Sequence, residues 1–205
     1  KLGLGSKIAP RKPAPQEATQ KVARRKVLRL DTPVQSALIG IRAPRKDDSN
    51  RPAIEVLAQI LAGGKSSRLH RALVETGVSS NVAIEPPSYI GDSLLIVGTT
   101  LQQGHLVEEA ERIFSHELAQ LRDHPIKTEE LEAARHHLEF ARHMQWMTHE
   151  SIAESIGQAL SLFGSVSDQQ KFFGRLMEVS PADLQRAAQR FLVSSNTTTL
   201  IGVPK

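Results

Sequence analysis

Eight histidines lie among 22 carboxylates, so metal chemistry is the first to test. A zinc peptidase helix places two imidazoles and a catalytic Glu on one face through His-Glu-x-x-His. That spacing fails at His116-Glu117, where Gln120 holds the second histidine position, and at His149-Glu150, where Ala153 does. The inverted form, His-x-x-Glu-His, comes nearest at His136: Glu139 fits, but Phe140 replaces the second histidine. A helix bearing Glu132, His136, Glu139 and His143 would stack four donors on one side, opposite a Leu131/Leu138 stripe. A solvated polar face accounts for that pattern, because a catalytic zinc normally takes three protein ligands with an organised outer shell.

Other chemistries are equally incomplete. Gly64-Lys65-Ser66 supplies the second half of a phosphate loop. The loop's first glycine would fall at Gln59, and a helix rather than a strand precedes it. A turn between two helices is the better reading of GGKSS, with Ser66 and Ser67 as turn and cap residues. No nucleophile elbow surrounds any serine. Cysteine is absent, which excludes thiol nucleophiles, disulfides and Cys-type zinc sites. The pairs Glu108-Glu109 and Glu129-Glu130 sit in first helical turns, where they complement the helix dipole.

The elements that would position these residues follow from periodicity. With 40% apolar and 4% aromatic residues, the chain can bury a core built from Leu, Ile, Val and Ala. Residues 1–20, with Pro10, Pro13 and Pro15, read as an extended interdomain linker, and residues 21–205 as one domain. Strands are expected over 21–30 and 35–43, the second with Ala37, Ile39 and Ile41 on one face. A helix runs from about Asn50 to Ala62, stopped by Gly63-Gly64, and a short one from Ser67 to Glu75, stopped by Gly77. Strands follow over 78–85 and 93–101. The second, SLLIVGTTL, has the apolar run of a buried strand, and Gly98 in it marks a close approach or a bulge.

Helices then occupy 106–123, 128–146 (capped by Thr128), 150–163, 167–178 and the stretch after Ser180-Pro181-Ala182-Asp183, a strong start signal. The last strand is 197–203. Strands early and helices late predict an α+β fold with a mostly antiparallel sheet and helices on one face.

Net charge is +4 and concentrated near the N-terminus. It overlaps the linker and first strand instead of forming a reading face, so solubilising charge is expected and nucleic-acid binding is not. No apolar run approaches a membrane span. The chain opens on Lys1 rather than Met and is expected to be a piece of a longer polypeptide.

One stretch is more specific. AIEVLAQILAGGKSSRLHRALVETGVSSNVAI, from Ala53 to Ile84, resembles the second homologous half of pitrilysin-type zinc metallopeptidases, the family of the mitochondrial processing peptidase and the core subunits of the cytochrome bc complex. Its Gly-Gly-x-Ser-Ser-Arg-Leu is the family's turn. TEELEAA at Thr128, VSPADLQRAAQRFL at Val179 and the closing TTTLIGVPK resemble three further family segments.

The resemblance implies a sheet of about six strands with helices on one face. It implies that Val56, Gln59 and Ile60 occupy the degenerate zinc-motif positions, so that this half binds no zinc and carries no catalytic residue. The zinc is expected in a catalytic half, fused or separate. The cavity-facing Arg and Tyr of such halves fall on Val74 and Ser80 and are missing. Arg68, Arg71, Ser80 and Tyr89 are the neighbouring candidates for peptide contact. The implied function is a non-catalytic half of a zinc endopeptidase that encloses peptide substrates. The alternative is a non-enzymatic interaction subunit paired with a separate catalytic subunit. Bacterial relatives are often exported, which points to the periplasm.

Overall fold

The computed structural model describes residues 18–87, 91 and 93–205. Tyr89 and most of the expected linker therefore lie outside the described residues. Gln20, at the linker's end, belongs to the packed body: it is buried, and its side-chain amide donates to the carbonyls of Val22 (3.0 Å) and Thr197 (2.7 Å).

Five strands form one sheet: β1 (Arg24–Leu30), β2 (Ser36–Ala43), β3 (Ser79–Glu85), β4 (Ser93–Leu101) and β5 (Thr197–Pro204), in the order β1-β5-β2-β4-β3. Only β1 and β5 pair in parallel; the other three pairs are antiparallel. The described residues thus hold five strands instead of about six. Among the described residues, the long stretch between β4 and β5 adds no strand, because it carries helical periodicity almost throughout.

The helices are α1 (Arg51–Ala62), α2 (Val107–Asp123), α3 (Thr128–Met144), α4 (His149–Gln158), α5 (Val166–Glu178) and α6 (Pro181–Phe191). They pack on one face of the sheet. Ala37, Ile39 and Ile41 of β2, Leu95, Val97 and Leu101 of β4 and Ile201 of β5 point into that layer and are buried. α1 is its axis. Val56 and Ala58 expose no surface, and α3, α5 and α6 surround it. A helix apolar on nearly every side is stable only inside a core. α2 contributes its expected stripe, Val107, Ala110, Phe114, Leu118 and Leu121, all buried.

Several local expectations change. β4 is not buried on both faces: Leu94 is exposed and Ile96 half-buried, and among the described residues no helix covers the second side of the sheet. Gly98 marks a close approach, with Leu38 Cδ2 3.2 Å from where a Cβ would stand, while the bulge lies on β3 between Ser79 and Asn81. Lys127, not Thr128, is the N-cap of α3; the Glu130 carboxylate reaches back to the Lys127 amide (3.3 Å). The α3 stripe fades beyond Leu138, and Ala141 is exposed where the helix outruns the core. α5 starts earlier than Ser167, with the Ser165 hydroxyl accepting from the Asp168 amide (3.0 Å). At α6 the start signal is realised as read: Ser180 Oγ accepts from the Asp183 amide, and Asp183 accepts from the Ser180 amide. The short helix after GGKSS is π-wound over His70–Val74, and α4 is extended by a second π-wound turn, Ala159–Phe163.

Candidate functional site

The GGKSS turn is built by two glycines with different tasks. Gly63 donates its amide to the Gln59 carbonyl (2.8 Å) and closes α1. Its φ of −82° suits any residue, but a Cβ there would lie 2.6 Å from Gln59 Cα and 2.7 Å from Gln59 O. Gly64 instead needs its backbone freedom, at φ +143°. Ser67 then ties the turn shut, its amide (3.0 Å) and hydroxyl (2.6 Å) both donating to the Gly64 carbonyl. These bonds close α1 and start the next helix, which is the geometry of a helix–helix turn.

Behind this turn, α1 faces α3 across a cavity of about 620 Å³. Gln59 and Ile60 line it from α1; Glu130, Ala133, His136, His137 and Phe140 line it from α3. Val56 is wholly buried and turned elsewhere into the core. Gln59 folds over Gly63, and its Oε1 is buried with no hydrogen-bond partner among the described residues. The carboxylate of Glu130 is engaged by Arg68, with Nε and Nη2 each 2.8 Å from one oxygen. Burial alone would push that carboxyl up. The two Arg68 bonds and charge, the Lys127 amide and Arg71 outweigh it and hold the carboxyl below its ordinary range.

The donors around this cavity do not fit zinc. α1 offers a neutral amide and an aliphatic side chain. The carboxylate opposite is occupied by a guanidinium. Two exposed imidazoles remain, one short of a protein ligand set. Glu132, Glu139 and His143 lie exposed on α3, as does His136 at the cavity rim, and no cluster of three metal-ligating side chains occurs among the described residues.

Two of the candidate contact residues meet at one carboxylate. Arg68 is fixed against Glu130. Arg71 is exposed beside it, 3.9 Å from the same carboxylate. Val74 ends the π-wound turn. Ser80 lies on the edge strand β3, which packs against that turn, and donates to the Thr100 carbonyl (3.1 Å).

Sequence patterns missed a buried ion pair and an open surface. Arg51 is almost wholly buried. It donates through Nε to Glu55 (2.9 Å) and through its two Nη atoms to the carbonyls of Pro44 and Pro87, pinning both flanking loops to α1. Burial pushes the Glu55 carboxyl up against the opposing pull of Arg51. The spacing of an i,i+4 Arg–Glu pair was visible, but on a surface helix the same spacing is ordinary.

The open surface is the uncovered side of the sheet. Strand pairing aligns its side chains in rows: Glu85, Ile96, Gly40, Thr198, Arg24; then Ala83, Gly98, Leu38, Leu200, Lys26; then Asn81, Thr100, Ser36, Gly202, Leu28. Leu38, Leu94 and Leu200 are 52%, 43% and 38% exposed. Each glycine of these rows lies beside a leucine. Leu38 leans over Gly98, Leu94 over Gly40 and Leu30 over Gly202, with methyl carbons 3.2, 3.6 and 2.8 Å from the positions a Cβ would take. The leucines lie flat where their neighbours have no side chain, so the sheet presents a level apolar floor.

The chain resembles proteins of known fold. A profile described as the peptidase M16 inactive domain matches residues 3–138. A protease from Helicobacter pylori superposes with a TM-score of 0.87 at 18% identity, over 97% of this chain and 48% of that one. The inactive peptidase domain of a candidate zinc protease from Bordetella parapertussis superposes with a TM-score of 0.74 at 26% identity, over 87% of this chain and 95% of that one. A peptidase M16 inactive domain from Pseudomonas fluorescens gives 0.73 at 17% identity, over 96% and 48%. This chain thus spans about half the length of the Helicobacter and Pseudomonas proteins. No curated protein sequence matches it significantly. The match over two thirds of the sequence, on a fold shared with these domains, makes this chain a member of the peptidase M16 inactive-domain family.

Proposed function

We propose that this domain is the non-catalytic half of a zinc-dependent endopeptidase and forms one wall of its peptide cavity. A second half, on the same polypeptide or a separate subunit, holds the zinc and faces it. Val56, Gln59 and Ile60 stand where that half carries its zinc motif, which leaves this chain without a metal-bound base. The observation that carries the reading is the open sheet face. A single helical layer covers one side of the sheet, and the other side shows a level apolar floor centred on Leu38, Leu94 and Leu200. Exposed contiguous apolar surface of that kind marks a binding face. The family membership and the Bordetella relative support the zinc peptidase context.

The test combines metal analysis with peptide binding. The purified chain, dialysed against zinc and then against metal-free buffer, is expected to keep well under one zinc per chain. It should bind labelled unfolded peptides without cleaving them. One retained zinc per chain, with peptide hydrolysis lost on chelation, would overturn the proposal.

A further inference from the structure

We infer that the open sheet face prefers peptide segments in which apolar residues are flanked by acidic ones. The inference rests on the peptide-wall reading and adds the class of peptide the wall takes. It follows from where the charges stand on the floor. The central strands carry Ile96, Gly40, Gly98, Leu38, Leu200 and Gly202 in these rows, with Thr198, Thr100 and Ser36 among them. The β1 margin carries Arg24 and Lys26, in register with Thr198 and Leu200 and exposed. Among the described residues, the carboxylate in these rows is Glu85, on the far margin at β3.

The other arginine of this strand end behaves differently. Arg25 points to the helical side and is neutralised there by Glu108 (2.9 Å) and Glu111 (3.1 Å). Arg24 and Lys26 have no ion-pair partner among the described residues. Arg24 and Lys26 thus stand at the floor margin as exposed, unpaired cations, while Arg25 is paired on the helical side. A segment lying across the strands would place apolar side chains on the leucine floor and carboxylates beside Arg24 and Lys26. A basic segment would meet like charge there.

Three labelled unstructured peptides test this, sharing one apolar centre and differing only in flanks of Asp/Glu, Ser/Gly or Lys/Arg. Fluorescence anisotropy with the intact chain is the readout. The acidic peptide should bind roughly fivefold tighter than the basic one at low salt, with the difference shrinking as salt rises, as exposed charge pairs do. The double substitution Arg24→Glu and Lys26→Glu should remove or reverse that order while circular dichroism stays unchanged. Leu38→Asp should weaken binding of the neutral peptide. Equal affinity for all three peptides would overturn the inference and leave the wall reading standing. Binding of none would overturn both. Concentration-dependent dimerisation abolished by Leu38→Asp would give the face to a second copy and overturn the inference as well.

Discussion

Gly63→Ala is the sharpest perturbation of the GGKSS turn, because its cost comes from space and not from backbone freedom. At φ −82° an alanine is conformationally acceptable. Its Cβ would nevertheless stand 2.6 and 2.7 Å from Gln59 Cα and O, and 2.1 Å from Gln59 Oε1. The two backbone contacts fall about 1 Å short of ordinary van der Waals separation. The Oε1 contact is with the end of a flexible side chain and can swing away. The backbone contacts relax only if the last turn of α1 opens, which costs the 2.8 Å bond from the Gly63 amide to the Gln59 carbonyl. Overpacking of this kind costs about 1–3 kcal/mol, and the lost hydrogen bond about 1 kcal/mol. The reduced freedom of the unfolded chain returns about 0.4–1 kcal/mol. The net expectation is roughly 2 kcal/mol, read as a fall in Tm of about 4–8 °C for a chain of this length. Gln59→Ala combined with Gly63→Ala separates the two sources. It removes the side-chain clash and leaves the backbone clash, so thermal or urea unfolding should show that most of the loss remains. Full recovery in the double variant, or a Gly63→Ala protein within about 0.5 kcal/mol of wild type, would refute the steric account.

Two further predictions concern packing and charge. Leu57→Ala removes a fully buried side chain from the axis of the core and should cost about 2–5 kcal/mol; Leu38→Ala, on the open floor, should cost well under half as much by the same urea titration. Glu130 is held below its ordinary value of 4.5 in the folded protein. Its contribution is therefore present above that value and is lost as pH falls through the lower folded value. Glu130→Gln should lower stability at pH 7 and make the acid limb of the stability profile shallower than in wild type.

The helix-side architecture was legible because each element buries one side, and burial on one side leaves a period. The face Ala37–Ile39–Ile41 emerges with the residues the spacing names, and the stripe of α2 is buried along its length. Elements that break the period were not legible. Arg51 is a cation at the start of an apolar helix, and nothing local says that two loop carbonyls will close over it. The π-wound turns at His70–Val74 and Ala159–Phe163 shift hydrogen bonding by one residue without altering composition. Of the candidate site, the helix–helix turn could be read residue by residue. The pairing of Arg68 with Glu130, 62 residues on, depends on tertiary placement alone.

SLLIVGTTL shows why the open floor escaped the sequence. An unbroken apolar run is the mark of a strand covered on both sides, and in β4 the odd positions Ser93, Leu95, Val97, Thr99 and Leu101 are indeed buried. The even positions, Leu94, Ile96, Gly98 and Thr100, are partly or fully accessible and carry the same apolar character. A solvated sheet face would ordinarily hold polar residues at those places. The neighbouring strands repeat the choice, with Leu38 and Gly40 on β2 and Leu200 and Gly202 on β5. Three adjacent strands that keep apolar and small residues on an uncovered side are best explained by a molecule that lies on it during function. Once the floor is read this way, the unpaired Arg24 and Lys26 become its margin, and the selectivity of the face turns on them.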